Sequence, residues 1–249
     1  MAWSQDEIIF PTHSVAASGP LPRGAERLQI KTPDGEVLHG VHIAPSAPAA
    51  GPRTLVVGFG GNAWNGQDVA TYIHELYPEA DVVAFHYRGY RPSTGTPSAK
   101  ALLADAPLVY DAAVSNARPD RTIAVGFSIG SGVAASLANR RKVDGIILVT
   151  PFDSLKAVAR GYYPWFPVGV IFRHEIDSSE GLGDSTVPVA VVAAEKDEII
   201  PAERTEALRL RVPNLAFDQT IADAGHNDIY TRSEFQEAMD KALKAVLGQ

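Results

Sequence analysis

The residues with the clearest chemical promise in this chain are Gly126-Phe127-Ser128-Ile129-Gly130. A serine flanked by glycines two positions away on each side suits a tight strand-to-helix turn. Such a turn lifts the hydroxyl onto its crest, and the glycines let strand and helix approach closely. In a chain with 21 glycines the five-residue pattern is expected by chance roughly 0.1 times, so alone it is only suggestive. Its setting adds weight, because an apolar run, 121–127, precedes it and an alanine-rich stretch, 130–139, follows.

A serine hydroxyl is a poor nucleophile at neutral pH and needs a base, usually histidine, oriented by a carboxylate. When the serine sits on this kind of turn, the acid and then the histidine come from later strand ends. Only His174 and His226 follow Ser128. His226 lies in Ala-Asp-Ala-Gly-His-Asn-Asp (222–228), a polar loop between the last expected strand and the last expected helix, and is the expected base. His174, between Arg173 and Glu175, is expected at the surface or on a substrate rim. Asp197 closes Val-Val-Ala-Ala-Glu-Lys-Asp (191–197) at a strand's carboxyl end, where open α/β sheets bind ligands. It is the expected acid, with Glu195 its nearest competitor and Asp177 and Asp153 more remote ones. An oxyanion formed at Ser128 also needs donors. The amide of Ile129 supplies one and that of Asn62, in Gly58-Phe-Gly-Gly-Asn-Ala-Trp-Asn, a second. That run lacks the lysine of a phosphate-binding P-loop and the glycine spacing of a dinucleotide site.

The elements that must position these residues follow from periodicity. Apolar strand-like runs at 53–59, 81–87, 121–127, 144–150, 187–194 and 215–221 alternate with helix-like segments at 67–77, 98–116, 130–139, 202–210 and 233–247. This alternation predicts a mostly parallel sheet covered by helices on both faces. Segments 26–32 and 36–44 flank Asp34-Gly35, a hairpin signal, and predict an antiparallel start to the sheet. Pro107 moves the expected start of the helix in 98–116 to Asp105, acting as N-cap. Residues 151–186 read as an irregular, aromatic-rich insert, and 44–52 as a connector.

The 249 residues are within reach of one domain, and the 45% hydrophobic content is enough for a large core. A net charge of −7 argues against a nucleic-acid partner. The densest basic run, Arg140-Arg141-Lys142, is expected to cap a helix C-terminus. With no cysteine, disulfides and thiolate ligands are excluded. No apolar run reaches the length of a spanning helix and the start lacks a basic leader, so the expected location is cytoplasmic.

With these residues in hand, the sequence resembles the α/β-hydrolase superfamily, in particular a compact branch with a Gly-Asn-Ala oxyanion loop. That branch includes bacterial esterase-like proteins, lysophospholipases and protein depalmitoylases. Besides the nucleophile turn and the His226 loop, His86-Tyr-Arg-Gly-Tyr, Gly95-Thr-Pro-Ser and Thr150-Pro-Phe-Asp-Ser carry the likeness, from about Ile8 onward. The resemblance implies one α/β-hydrolase domain over 1–249 with a short cap insert at about 152–186. It further implies Ser128 as nucleophile, His226 as base, Asp197 as acid, and the Asn62 and Ile129 amides as oxyanion donors, with no metal or organic cofactor. Gly60 and Trp64 depart from the branch's usual His and Gly, and Arg91 replaces a usual Gly. The expected activity is hydrolysis of carboxylic esters or thioesters with short to medium acyl groups on a small or lipid-like substrate. Trp64, Tyr163, Trp165, Phe166 and Arg91 are candidate substrate contacts. A peptidase or amidase with the same triad, and a non-catalytic binding protein on this fold, are the alternatives. The sequence does not set the oligomeric state.

Overall fold

The computed structural model describes residues 5–46, 51–165 and 167–249. Eight strands form one sheet: β1 (Ala25–Lys31), β2 (Val37–Ile43), β3 (Thr54–Phe59), β4 (Asp81–Phe85), β5 (Arg121–Phe127), β6 (Gly145–Val149), β7 (Val189–Ala194) and β8 (Leu215–Ile221). Their order is β1-β2-β4-β3-β5-β6-β7-β8. Strands β1 and β2 pair antiparallel, as do β2 and β4, and every later pairing is parallel. The hairpin between β1 and β2 turns at Asp34-Gly35, where Gly35 takes φ +94° and the Thr32 hydroxyl donates to Asp34 Oδ1 at 2.5 Å.

Nine helices occur among the described residues: α1 (Gln5–Ile9), α2 (Gly66–Leu76), α3 (Ala99–Ala117), α4 (Ile129–Ala135), α5 (Leu155–Tyr162), α6 (Val168–Ile171), α7 (Ser178–Leu182), α8 (Ala202–Arg209) and α9 (Ser233–Val246). The central strands read as unbroken apolar runs because both their faces are covered. Val56, Val82, Val125 and Ile147 pack toward α2 and α9, whereas Val57, Val83, Ala124 and Leu148 pack toward α3, α4 and α8. The terminal strands β1 and β8 instead mix exposed and part-buried positions. This arrangement is the α/β-hydrolase fold expected above.

The helix-like segment 98–116 behaves differently from expectation. Helix α3 begins at Ala99, not near Asp105, and Ser98 caps it by accepting the Ala101 N–H at 3.1 Å. Pro107 lies inside the helix, where it leaves the Leu103 carbonyl without its usual donor. The Arg140 guanidinium takes that carbonyl at 2.5 Å, which accounts for the tolerance. Asp105 is engaged elsewhere, receiving Arg88 Nε at 3.0 Å and Nη2 at 2.6 Å. The basic run at 140–142 therefore does not cap a helix C-terminus. Arg140 bridges to α3, and Arg141 forms a bidentate pair with Asp111, also on α3, at 2.6 Å. Helix α4 is also shorter than the expected 130–139, giving way to turns after Ala135.

The insert between β6 and β7 is more ordered than its sequence suggests, since it holds α5, α6 and α7. Helix α1 packs on it. Gln5 Nε2 donates to the Ile171 carbonyl and Gln5 Oε1 accepts the Arg173 N–H, each at 3.0 Å. His174 is not at the surface: it is buried, sits edge-on to Phe10 and bonds Asp6 at 2.5 Å. Among the described residues no helix is long and apolar enough to cross a membrane.

Candidate functional site

Ser128 stands between β5 and α4 with φ 51° and ψ −119°, a left-handed backbone that non-glycine residues rarely adopt and that stores about 1–3 kcal/mol. Its N–H donates to the Val149 carbonyl at 2.9 Å, and its carbonyl accepts the Ser131 N–H at 2.9 Å and hydroxyl at 2.6 Å. The two glycines have steric reasons to be there. A Cβ at Gly126 would lie 2.2 Å from the Gly130 carbonyl oxygen, and one at Gly130 would lie 2.2 Å from that of Phe59.

Ser128 Oγ is 3.0 Å from His226 Nε2. On the far side of the ring, Nδ1 is 2.8 Å from Asp197 Oδ2 and 2.9 Å from Oδ1. Both partners are largely buried, and Asp197 Oδ1 also accepts the N–H groups of Ile199 at 2.9 Å and Ile200 at 2.7 Å. These donors fix the carboxylate and leave His226 one orientation, with Nε2 facing the serine. The competing carboxylates are occupied elsewhere. Glu195 accepts the Asp223 N–H at 2.8 Å, Asp177 caps α7, and Asp153 faces Arg204 at 3.2 Å, with burial raising its proton affinity.

The loops carrying Asp197 and His226 are stitched together. The Lys196 N–H donates to the Ala224 carbonyl at 2.8 Å, and Lys196 Nζ pairs with Asp223 at 2.5 Å. Glu198 Oε2 accepts the backbone N–H of His226 at 3.0 Å. From the insert, the Tyr162 hydroxyl donates to the carbonyls of Glu198 at 2.8 Å and Ile199 at 3.0 Å.

The loop after β3 lies against the serine: a Cβ at Gly61 would be in ordinary contact with Ser128 Cβ, at 3.8 Å. The Tyr90 hydroxyl, on a wholly buried ring, donates to the Asn62 carbonyl at 2.5 Å, and Tyr87 donates to that of Gly60 at 2.8 Å. The His86-Tyr-Arg-Gly-Tyr stretch thus anchors this loop at two peptide groups. Ile129, as the first residue of α4, has an N–H with no intrahelical acceptor. Gly61, the residue before Asn62, and Ile129 thus adjoin the serine from two separate elements.

Trp64 is part-buried in a ring cluster with Phe127 at 5.3 Å, Tyr72 at 5.4 Å and Tyr230 at 5.6 Å. The cluster joins the loop after β3, the end of the nucleophile strand and the turn that follows His226. Tyr230 is deeply enclosed there, and burial pushes its phenol up to about 12. Tyr163 and Trp165 are exposed on the insert, Trp165 at 81%, and neither meets Ser128, Asp197 or His226 in a hydrogen bond or ring contact. Arg91 is also exposed, with no ion pair to a described residue. Phe166 lies outside the described residues. Sequence reading missed Glu198, Tyr162, Tyr87 and Tyr90 as supports of this group. The two tyrosines had a signal in the matched stretch at 86–90, but Glu198 and Tyr162 act across gaps in sequence that periodicity does not reveal.

No protein-family model matches the chain. An uncharacterized protein of Mycobacterium tuberculosis is 32% identical over 233 residues, covering 91% of this chain and 82% of that protein. Lysophosphatidylserine lipase ABHD12 of Danio rerio is 29% identical over 48% of this chain and 36% of its own length. Among solved structures, an esterase from Pyrococcus furiosus superposes with a TM-score of 0.73 at 18% identity, covering 94% of this chain and 96% of that one. An alpha-beta hydrolase from Vibrio vulnificus gives 0.69 at 21% identity over 90% and 81%.

Proposed function

The chain belongs to the α/β-hydrolase superfamily and is a hydrolase, and from that premise we propose that it is a serine esterase or thioesterase acting on short to medium acyl groups. The observation that carries this reading is the line of contacts from Asp197 through His226 to Ser128, with Ser128 Oγ 3.0 Å from His226 Nε2. The kinship with a protein named as a lysophosphatidylserine lipase fits an acyl-ester substrate.

In this mechanism His226 Nε2 takes the proton of Ser128 as Oγ attacks the acyl carbonyl carbon, and Asp197 stabilises the resulting imidazolium through Nδ1. The carbonyl π electrons move onto oxygen, which the Asn62 and Ile129 amides receive as donors. Collapse of the tetrahedral intermediate breaks the bond to the alcohol or thiol, which leaves with the proton from His226. Water, giving a proton to the same nitrogen, then attacks the acyl carbon; collapse breaks its bond to Ser128 Oγ, which takes that proton back from His226 as the carboxylic acid leaves. The single-domain reading, with a short cap insert at about 152–186, belongs to the same proposal, as do substrate roles for Tyr163, Trp165, Trp64 and Arg91.

A fluorophosphonate probe tests the nucleophile. The wild-type chain is expected to label at a single residue, found at Ser128 by peptide mapping, and Ser128→Ala to lose labelling while keeping its circular dichroism spectrum. Persistent labelling of that variant, or folded wild-type protein inert toward both the probe and an acyl-ester panel, would overturn the reading.

A further inference from the structure

A second polar site lies away from Ser128, between β1, β2 and the start of α2. A cavity of about 120 Å³ is lined by Ser18, Arg27, His39, Gln67 and His86 among others, with no carboxylate in its wall. That volume exceeds the ~10–15 Å³ that one water needs and accommodates a five-atom tetrahedral oxyanion. Arg27 on β1 and His39 on β2 reach it from adjacent strands, since Arg27 pairs with Val41, two residues beyond His39. Neither side chain has an ion pair or hydrogen bond with a described residue.

His86 gives the cavity its directional group. The ring is 4% exposed, and Nδ1 accepts the Gly66 N–H at 3.4 Å, which places the ring proton on Nε2. Nε2 has no hydrogen-bond partner among the described residues, and the ring borders the cavity, so its N–H is available to a ligand there. Burial first, then His39, hold the His86 proton affinity down to about 4, with Asp68 opposing the shift and Arg27 adding a smaller contribution to it. Asp68 itself is tied to Asn65 Nδ2 at 2.6 Å. Gln67, the second residue of the eleven-residue α2, also lines the cavity, its side-chain amide donated to the Gly19 and Pro20 carbonyls at 2.9 and 3.2 Å.

We propose that this cavity is a binding site for a phosphate-type oxyanion, held by the Arg27 guanidinium and by N–H donors of His86 and His39. None of these residues belongs to the Ser128 group, so the site stands independently of the esterase reading. Its position has a consequence, because His86 contacts Gly66 and the next residue, Tyr87, holds Gly60. An occupant would therefore brace the loop that carries Asn62.

The test is titration of the full-length chain with inorganic phosphate, read by histidine ring resonances in NMR and by thermal shift. Glycerol 3-phosphate and vesicles with phosphatidic acid serve as further arms. Saturable shifts of the His39 and His86 rings, with a rise in Tm, are expected. Arg27→Ala should weaken binding by about tenfold or more, and His39→Gln measurably. Ser128→Ala should bind as wild type, which separates this site from the proposed nucleophile. Saturation with the soluble phosphates assigns a free phosphate ligand, and saturation by the vesicles alone assigns a lipid headgroup, each supporting the site. Absence of saturable shifts in every arm, or affinity unchanged in both Arg27→Ala and His39→Gln, would overturn it.

Discussion

The close approach of Gly130 to the end of β3 and the loop after it supplies a quantitative prediction. In Gly130→Ala the new methyl would sit 2.2 Å from the Phe59 carbonyl oxygen and 2.5 Å from that of Gly60. Both are backbone atoms, so no side-chain rotation relieves the clash. Restoring even a tight carbon–oxygen contact near 3.2 Å requires about 1 Å of separation between α4 and the loop. That loop carries Asn62 and the helix start carries Ile129, so the two donor amides move apart by a comparable distance. A displacement of about 1 Å in a reacting group costs on the order of 10²-fold in rate, and overpacking of this kind about 1–3 kcal/mol in stability. The assay is ester turnover with chemical denaturation on the same preparations. Gly161→Ala is the control, since a Cβ there meets nothing within 4 Å. Expected are a fall in kcat of about 10²-fold and a lowered denaturation midpoint for Gly130→Ala, with Gly161→Ala near wild type. Equal kcat and midpoint in Gly130→Ala and wild type would refute the steric argument and the place assigned to this loop.

Three further outcomes follow from the same geometry. Asp197→Asn should reduce kcat by about 10³–10⁴-fold with KM little changed, because the amide favours the wrong His226 tautomer, whereas Glu195→Gln should stay within a few-fold of wild type; steady-state kinetics on both variants checks this. Tyr90→Phe removes the hydroxyl bound to the Asn62 carbonyl and should cost about 1 kcal/mol in urea unfolding together with a loss in kcat. His86, held near 4 in the folded chain against an ordinary 6.5, binds fewer protons folded than unfolded between those values. Its contribution to stability is therefore complete above pH 6.5 and is lost as pH falls toward 4, by up to about 3 kcal/mol, and His86→Gln should flatten the urea midpoint across that window.

The sheet was legible in the sequence because its central strands are buried on both faces and so read as uninterrupted apolar runs. Strands β5 and β8 fall on the expected residues, as does the hairpin at Asp34-Gly35. The start of α3 was not legible, because the cost of Pro107 is offset by Arg140, a donor thirty-seven residues from the carbonyl it reaches. His174 was misplaced for a related reason: its partner Asp6 lies 168 residues away, and only the packing of α1 on the insert makes it a buried residue. The candidate site shows the same division. Ser128, Asp197 and His226 could be singled out from residue type, order and position at strand ends. What holds them could not, since the roles of Glu198, Tyr162 and Tyr90 depend on loop-to-loop contacts with no local periodicity.

The position of His226 has a consequence for how the site is lost. Its loop follows β8, the terminal strand of the sheet, which has a neighbour on one side only and several exposed residues. Strands in that position open at lower free energy than those at the centre, so β8 and its loop are a natural unit of partial unfolding. Ser128, by contrast, rises from a fully flanked central strand. Heat or denaturant should therefore silence the chain by withdrawing its base while the serine scaffold is still folded, and activity should decay before the bulk of the backbone amides exchange.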